Sequence, residues 1–309
     1  MSAGEVWQGI VLNWIPLMAG SLVALTCAYM GVFVVLRRIV FVGLALAQVS
    51  GAGVALAFLV GPSLATLAHN YAHSWLLPRL GGVCLEWIAI RPIVMALLLT
   101  FLGVWLFARH SWSPTLPRDS VIGAGYVAAY GLTLLFILKS PKGMEDVREL
   151  LDGNVLTVMP SDLTVLVGVF GCVFLVHLLL YRQLLFVAFD PEAAAAQGYV
   201  VPRWELLFYG TLGVTITVAM LYAGILAVFA YMVIPPLVGL TAGQHMRGVI
   251  SIAVASALVI SVAGFILALR WDLPLSPPTI GVGLGLLALS ALGRRISGLR
   301  RRHGATTEP

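Results

Sequence analysis

The sequence predicts an all-α membrane protein of about nine transmembrane helices, and three observations carry that expectation. Hydrophobic residues make up 60% of the 309 residues and charged ones only 10%, whereas a soluble domain carries roughly 25% charged residues. The mean hydropathy is +1.00. The apolar residues are also gathered into runs near the ~20 residues that a helix needs to cross about 30 Å of hydrocarbon. The length admits roughly eight to ten such spans, so residues 1–309 read as one membrane domain with little left for a soluble one.

In chain order, the runs between charges and prolines predict spans at 10–36, 40–60, 92–108, 121–138, 161–181, 205–222, 224–243, 249–269 and 279–293. The sixth and seventh meet at Ala223-Gly224 almost without a polar break. No cleavable signal peptide is expected, because the first run is preceded by Glu5 and by no Lys or Arg. An N-terminus outside puts Arg37, Arg38, Arg109, Arg118, Arg182, Arg203, Arg247, Arg294, Arg295, Arg300, Arg301 and Arg302 on the cytoplasmic face. The other face keeps Arg79, Arg91, Lys139, Lys142, Arg148 and Arg270. Basic residues favour the cytoplasmic side, so this excess predicts N-out and C-in. It also explains the net charge of +5 without nucleic acid.

Two outer connections are longer than the rest. Residues 62–91 contain His69, His73, Tyr71, Trp75 and Trp87, a composition suited to the membrane interface. Residues 139–160 open on a Pro-Lys-Gly turn, predict a short charged helix, and break at Asp152-Gly153-Asn154. The basic tail, about 296–309, is expected to be disordered.

Several chemistries are excluded by what the chain lacks. Its only lysines, Lys139 and Lys142, lie in no GxxxxGK[ST], so no P-loop can cradle ATP here. HExxH and paired intramembrane carboxylates are also missing, so no enzyme and no bound cofactor are expected. Ion-coupled carriers usually hold carboxylates within their spans. Here only His177 is a candidate, near a cytoplasmic helix end beside Tyr181 and Arg182. Cys27, Cys84 and Cys172 are far apart and form no CxxC pair. His69 and His73, four apart, would share a helix face, but two imidazoles are too few for a zinc site.

The segment 186–204 reads as a connecting element on the cytoplasmic side. Asp190-Pro191-Glu192 opens a short alanine-rich helix, with Asp placed to cap free backbone N–H groups and Pro suited to the first helical position. Gly198 ends it. Ile234-Pro235-Pro236 is expected to break or end a helix, since neither proline can donate.

Five blocks together carry a resemblance. They are MGVFVVLRRIVFVGLALAQVSGAGVALAFLVG at 30–61, GMEDVRELLDGNVLTVMPSDL at 143–163, FDPEAAAAQGY at 189–199, YAGILAVFAYMVIPPLVGLTAG at 222–243 and WDLPLSPPTIGVGLGLL at 271–287. In this order the chain resembles the permease subunits of the zinc/manganese/iron class of ABC importers. The resemblance implies a multi-pass protein of the bacterial inner membrane that imports a divalent metal ion or a metal-linked cargo. It implies a second permease copy, identical or not, ATPase subunits that hydrolyse ATP on its behalf, and an extracytoplasmic metal-binding protein. Asp190, Pro191, Glu192, Ala195 and Gly198 would then fall in the ATPase-contacting helix. An ABC permease for a metal chelate or a non-metal solute, or an ion-coupled carrier, is the alternative.

One segment departs from the family. Where its members commonly read Gly-Asp-Ala-Leu-Ser-His-Ala-Val-Leu-Pro-Gly, residues 43–53 read GLALAQVSGAG, with Leu44 and Gln48 in place of the acid and the histidine. Four residues apart, those positions share a helix face, and in the family they would hold the cation within the membrane. A carboxylate at mid-membrane costs roughly 2.5–3.5 kcal/mol on insertion scales; leucine removes that cost and the ligand with it. Three readings stay open: the metal is held elsewhere, the cargo is a chelate or another solute, or a non-identical permease supplies the ligands. Gln48 and Ser50 are the candidate path residues, with interhelical packing the other reading of Gln48. Small residues at Gly43, Ala45, Ala47, Gly51 and Gly53 suit a close seam between permease copies.

Overall fold

The computed structural model describes residues 12–72, 92–108, 118–140, 153 and 158–305, without the side chains of 62–72, 118, 119 and 296–305. The helices are α1 (Trp14–Leu36), α2 (Val40–Ala72), α3 (Pro92–Ala108), α4 (Arg118–Lys139), α5 (Pro160–Leu179), α6 (Tyr181–Phe189), α7 (Pro191–Ala196), α8 (Val201–Ala242), α9 (Met246–Trp271) and α10 (Ser276–Ala305). Among the described residues there is no strand. Eight segments are long and apolar enough to cross a bilayer: α1, Val40–Gly61, Ser120–Lys139, α5, Val201–Ala223, Ile225–Ala242, α9 and Ser276–Arg295. With the shorter apolar α3, every predicted span has its helix. The side chain of His69, together with His73, Cys84 and the expected outer helix of 139–160, lies outside the described residues. The basic stretch from 296, expected to be disordered, is helical as far as Ala305; its arginines and leucine are good helix formers.

α8 contains 42 residues and as one rod would run about 63 Å, twice the hydrocarbon thickness. It is divided at Gly224, whose φ of 79° and ψ of 161° fall outside the helical region, in a conformation that a Cβ disfavours. The two halves match the sixth and seventh predicted spans. The proline pair does not break or end the helix as expected: Pro235 and Pro236 lie inside it, and Gly224 is its non-helical residue. Two prolines still free the carbonyls of Tyr231 and Met232, four residues earlier, from helical hydrogen bonds. In hydrocarbon a freed carbonyl must be met by neighbouring protein. Gly31 of α1 provides this contact: a Cβ there would lie 2.8 and 2.9 Å from the carbonyl carbon and Cα of Met232. The missing side chain lets the α1 backbone reach the freed carbonyl, an approach suited to Cα–H···O contact.

The chain forms two compact units. One comprises residues 1–40, 154–174 and 226–309. In it α9 packs against α1 and α10, around Val32, Val249 and Ala253 with Leu36, Leu240, Met246 and Ile250 beside them. The Thr241 and Ser290 hydroxyls meet at 3.0 Å, tying the second half of α8 to α10. The other unit comprises residues 41–153 and 175–225. Its inner element is α2, where Val42, Ala45, Leu46, Ala47, Ala52, Val54 and Ala55 are buried. α4 instead exposes Val127, Tyr130, Leu132, Leu135 and Leu138, an apolar surface that only lipid or another membrane protein would cover favourably.

Replacing Gly31 by Ala drives a methyl group into the Met232 backbone and is expected to destabilise the fold by about 1–3 kcal/mol. Gly131→Ala, with nothing within 4 Å of the added carbon, is the control. Thermal unfolding of the two purified variants in detergent should show a clear loss for the first and none for the second.

Candidate functional site

Residues 43–53 form part of α2, so positions 44 and 48 do share a face, as their spacing predicts. Leu44 is partly exposed, Gln48 is 5% exposed and Ser50 is fully buried. Among the described residues Gln48 makes no hydrogen bond. Ser50 does: its Oγ donates to Thr217 Oγ1 at 3.0 Å, and Thr217 Oγ1 lies 2.9 Å from Thr100 Oγ1. Thr217 Oγ1 thus meets a hydroxyl on either side, giving a chain of hydroxyls from α2 through α8 to α3.

That chain sets Ser50 apart from many of the described hydroxyls, which turn back onto their own helix. Thr26 donates to the Leu22 carbonyl, Thr133 to Ala129, Thr215 to Thr211 and Thr279 to Leu275. The motifs of the sequence do not single out Thr100 or Thr217. Their signal is composition, since Thr100 is the only hydroxyl in the 17 residues of α3. Close packing brings these helices together. A Cβ on Gly53 would lie 2.5 Å from Ala96 Cα, and one on Gly213 would lie 2.8 Å from Thr100 Cγ2. Gly43, Ala45, Ala47, Gly51 and Gly53 are all buried within the chain itself. The small-residue set expected at a seam between copies therefore serves packing inside one chain, because close helix approach in either setting selects the same residue types.

His177 is fully buried, with Nε2 2.9 Å from Thr211 Oγ1 and its ring 6.1 Å from that of Phe208. Thr211 donates its own proton to the Phe208 carbonyl, so it accepts from the Nε2–H tautomer. His177 thus joins α5 to α8 as a packed, hydrogen-bonded residue. Among the described residues no three His, Cys, Asp or Glu side chains gather as a metal site would require.

The connecting element takes the form that its residues predict. Asp190 caps α7, its Oδ1 accepting from Ala193 N–H at 2.9 Å, and Pro191 opens the helix. At the other end Tyr199 N–H reaches the Ala194 carbonyl and Gly198 N–H the Ala195 carbonyl, both at 3.0 Å. This paired closure needs a left-handed residue, and Gly198 supplies it with φ 88°. Tyr199 then packs edge-on to Phe186 with centroids 5.7 Å apart, anchoring α7 to α6. Ala194 is buried, whereas Pro191, Glu192, Ala195 and Gly198 are exposed. A cavity of about 450 Å³ opens beside them, between Leu180, Gly198, Arg203 and Trp204.

Residues 13–293 match the ABC 3 transport family. The chain belongs to that family. Curated relatives include the manganese transport system membrane protein MntC of Halalkalibacterium halodurans, 26% identical over 274 residues, which are 89% of this chain and 84% of that protein. The manganese import system permease protein ScaB of Streptococcus gordonii is 23% identical over 278 residues, 89% of this chain and 86% of that protein. Among solved structures, PsaBC from Streptococcus pneumoniae in complex with Fab has a TM-score of 0.78 at 19% identity, covering 97% of this chain and 100% of that one. The fold is therefore that of an ABC 3 family membrane subunit, and the chain is a multi-pass transport protein.

Thr217→Val keeps the shape and removes the central hydroxyl of the buried chain. It is expected to cost about 1–3 kcal/mol by leaving Ser50 without its acceptor. Adding Ser50→Ala should recover part of that loss, a coupling of about 0.5–1.5 kcal/mol, read by a double-mutant cycle on thermal unfolding.

Proposed function

We propose that the chain is the permease subunit of a bacterial inner-membrane ABC importer for a divalent metal, with manganese, zinc and iron as the candidate cargoes. The observation that carries this reading is the match to the ABC 3 transport family over residues 13–293, supported by relatives named for manganese transport or import. The missing nucleotide motif means that ATP must be hydrolysed by a separate ATPase. An extracytoplasmic binding protein delivers the cargo, and a second permease copy completes the pathway. The basic residues flanking the spans favour the N-terminus outside and the C-terminus in the cytoplasm, which puts α7 on the ATPase side.

α7 suits transmission of force. It is capped at both ends, anchored through Tyr199, and presents Pro191, Glu192, Ala195 and Gly198 outward. Small exposed side chains let a partner surface approach closely, and rigid ends keep its push from dissipating in the loop. The transport step is then alternating access, driven by the ATPase and passed to the spans through α6 and α8.

ATP-dependent accumulation of manganese, zinc and iron in vesicles holding the chain, its ATPase and its binding protein tests the reading. Uptake of at least one metal is expected, reduced in Gln48→Ala; an assembled complex that hydrolyses ATP and accumulates no metal contradicts it. Ala195→Arg places a long cation on the exposed face of α7 without touching the buried Ala194. It should abolish co-purification of the ATPase while membrane insertion is unchanged.

A further inference from the structure

We propose that the cavity beside α7 is a binding site for one anionic phospholipid, with the phosphate on Arg203 and an acyl chain along Leu180 and Leu207. The site goes beyond the transport reading above and needs neither its cargo nor its ATPase.

The cavity measures about 450 Å³, within the roughly 300–1,000 Å³ of small-molecule sites. Its depth follows from the helices that form it. The span-length α5 ends at Leu179, next to Leu180, and the span Val201–Ala223 opens two residues before Arg203. The bond between His177 and Thr211 ties these two helices about one turn further in, three residues from Leu180 and four from Leu207. The cavity therefore lies where two crossings reach the same bilayer boundary, the level at which lipid phosphates meet hydrocarbon.

The lining divides by chemistry. Arg203 is exposed, and among the described residues its guanidinium has no ion-pair or hydrogen-bond partner. No carboxylate lines the cavity with it. Tyr199 and Trp204, with ring centroids 6.2 Å apart, belong to the same wall, as aromatic residues do at headgroup depth. The start of α8 adds the positive end of its dipole. A basic pocket between helices at the membrane surface is the arrangement that takes an acidic headgroup, and the planar fork of arginine donors suits phosphate.

The remaining side chains are apolar, those of Leu180, Val200 and Leu207. Leu179 and Leu206, next to them in the chain, are 70% and 48% exposed, so lipid-facing leucines adjoin the apolar wall on both helices. A free phosphate would use the cation and leave this wall uncovered, whereas a lipid uses both. The outward residues of α7, Pro191, Glu192 and Ala195, do not line the cavity, so an occupant leaves them open to a partner.

The test titrates phosphatidylglycerol into phosphatidylcholine nanodiscs holding the full chain and counts retained lipid by native mass spectrometry. One phosphatidylglycerol per chain should be kept in preference to phosphatidylcholine. Arg203→Gln should weaken its binding about 10-fold, the loss expected for one hydrogen bond to a charged group, and Arg203→Lys should keep most of it. Arg247→Gln removes an exposed charge that does not line the cavity and should change nothing. Equal losses in Arg203→Gln and Arg247→Gln overturn the site, as does a parent that retains both lipids alike, a comparison that needs no variant to fold. Glycerol 3-phosphate is the soluble competitor: displacement of the lipid at equal concentration means that the cavity reads phosphate alone, and the lipid assignment fails. If Arg203→Gln instead releases the ATPase from the assembled complex and keeps its phosphatidylglycerol, the cavity receives a protein and the proposal falls.

Discussion

A backbone N–H or C=O facing hydrocarbon has no water to turn to, and each one left unpaired costs several kcal/mol. This constraint accounts for the whole architecture: helices that close their hydrogen bonds within themselves, and hydroxyls that double back onto the same carbonyls. It also explains where irregularity is permitted. The non-helical Gly224 sits in a long helix at the junction of two span-length halves, where the chain leaves one crossing and begins another. The carbonyl that Pro236 releases is covered by the backbone at Gly31. At Met232 the freed backbone is tolerated because other protein reaches it.

Much of that architecture was legible in the sequence because it depends on run length and charge placement. The runs from Trp14 to Leu36 and from Pro92 to Ala108 contain no Asp, Glu, Lys, Arg or His and could only be spans. Asp190-Pro191 and Gly198 predicted a capped helix and its end, and both ends closed as the side chains require. The Pro235-Pro236 pair misled because a sequence shows that two donors are missing and does not show that Gly31, some two hundred residues earlier, stands against the carbonyl they free. Small residues misled for a related reason. Gly53 says that some backbone comes close, and only coordinates identify it as Ala96.

The candidate path was half visible. Gln48 stood out as an amide where an acid-and-histidine pair was expected, but the hydroxyl chain of Ser50, Thr217 and Thr100 joins residues 167 and 117 positions apart, and no local pattern links them. Single Thr residues in apolar runs are ambiguous in principle. Most of those described here bond to a carbonyl three or four residues back, which is the cheapest local solution. Thr217 differs because the close packing of α2, α3 and α8 leaves its hydroxyl facing two others.

These features bear jointly on how such a subunit could work. A waypoint of strong ligands makes release slow in proportion to the affinity it provides, so a charged site must be dismantled on every cycle by the movement of the helices. Leu44 and Gln48 offer neither carboxylate nor imidazole, so this stretch of α2 lacks the side chains that such a waypoint needs. The permease would contribute a passage of fixed polarity whose opening is timed from α7. The capping of α7 at both ends and its anchoring through Tyr199 would couple that passage to an external energy source with little of the movement lost in the loop.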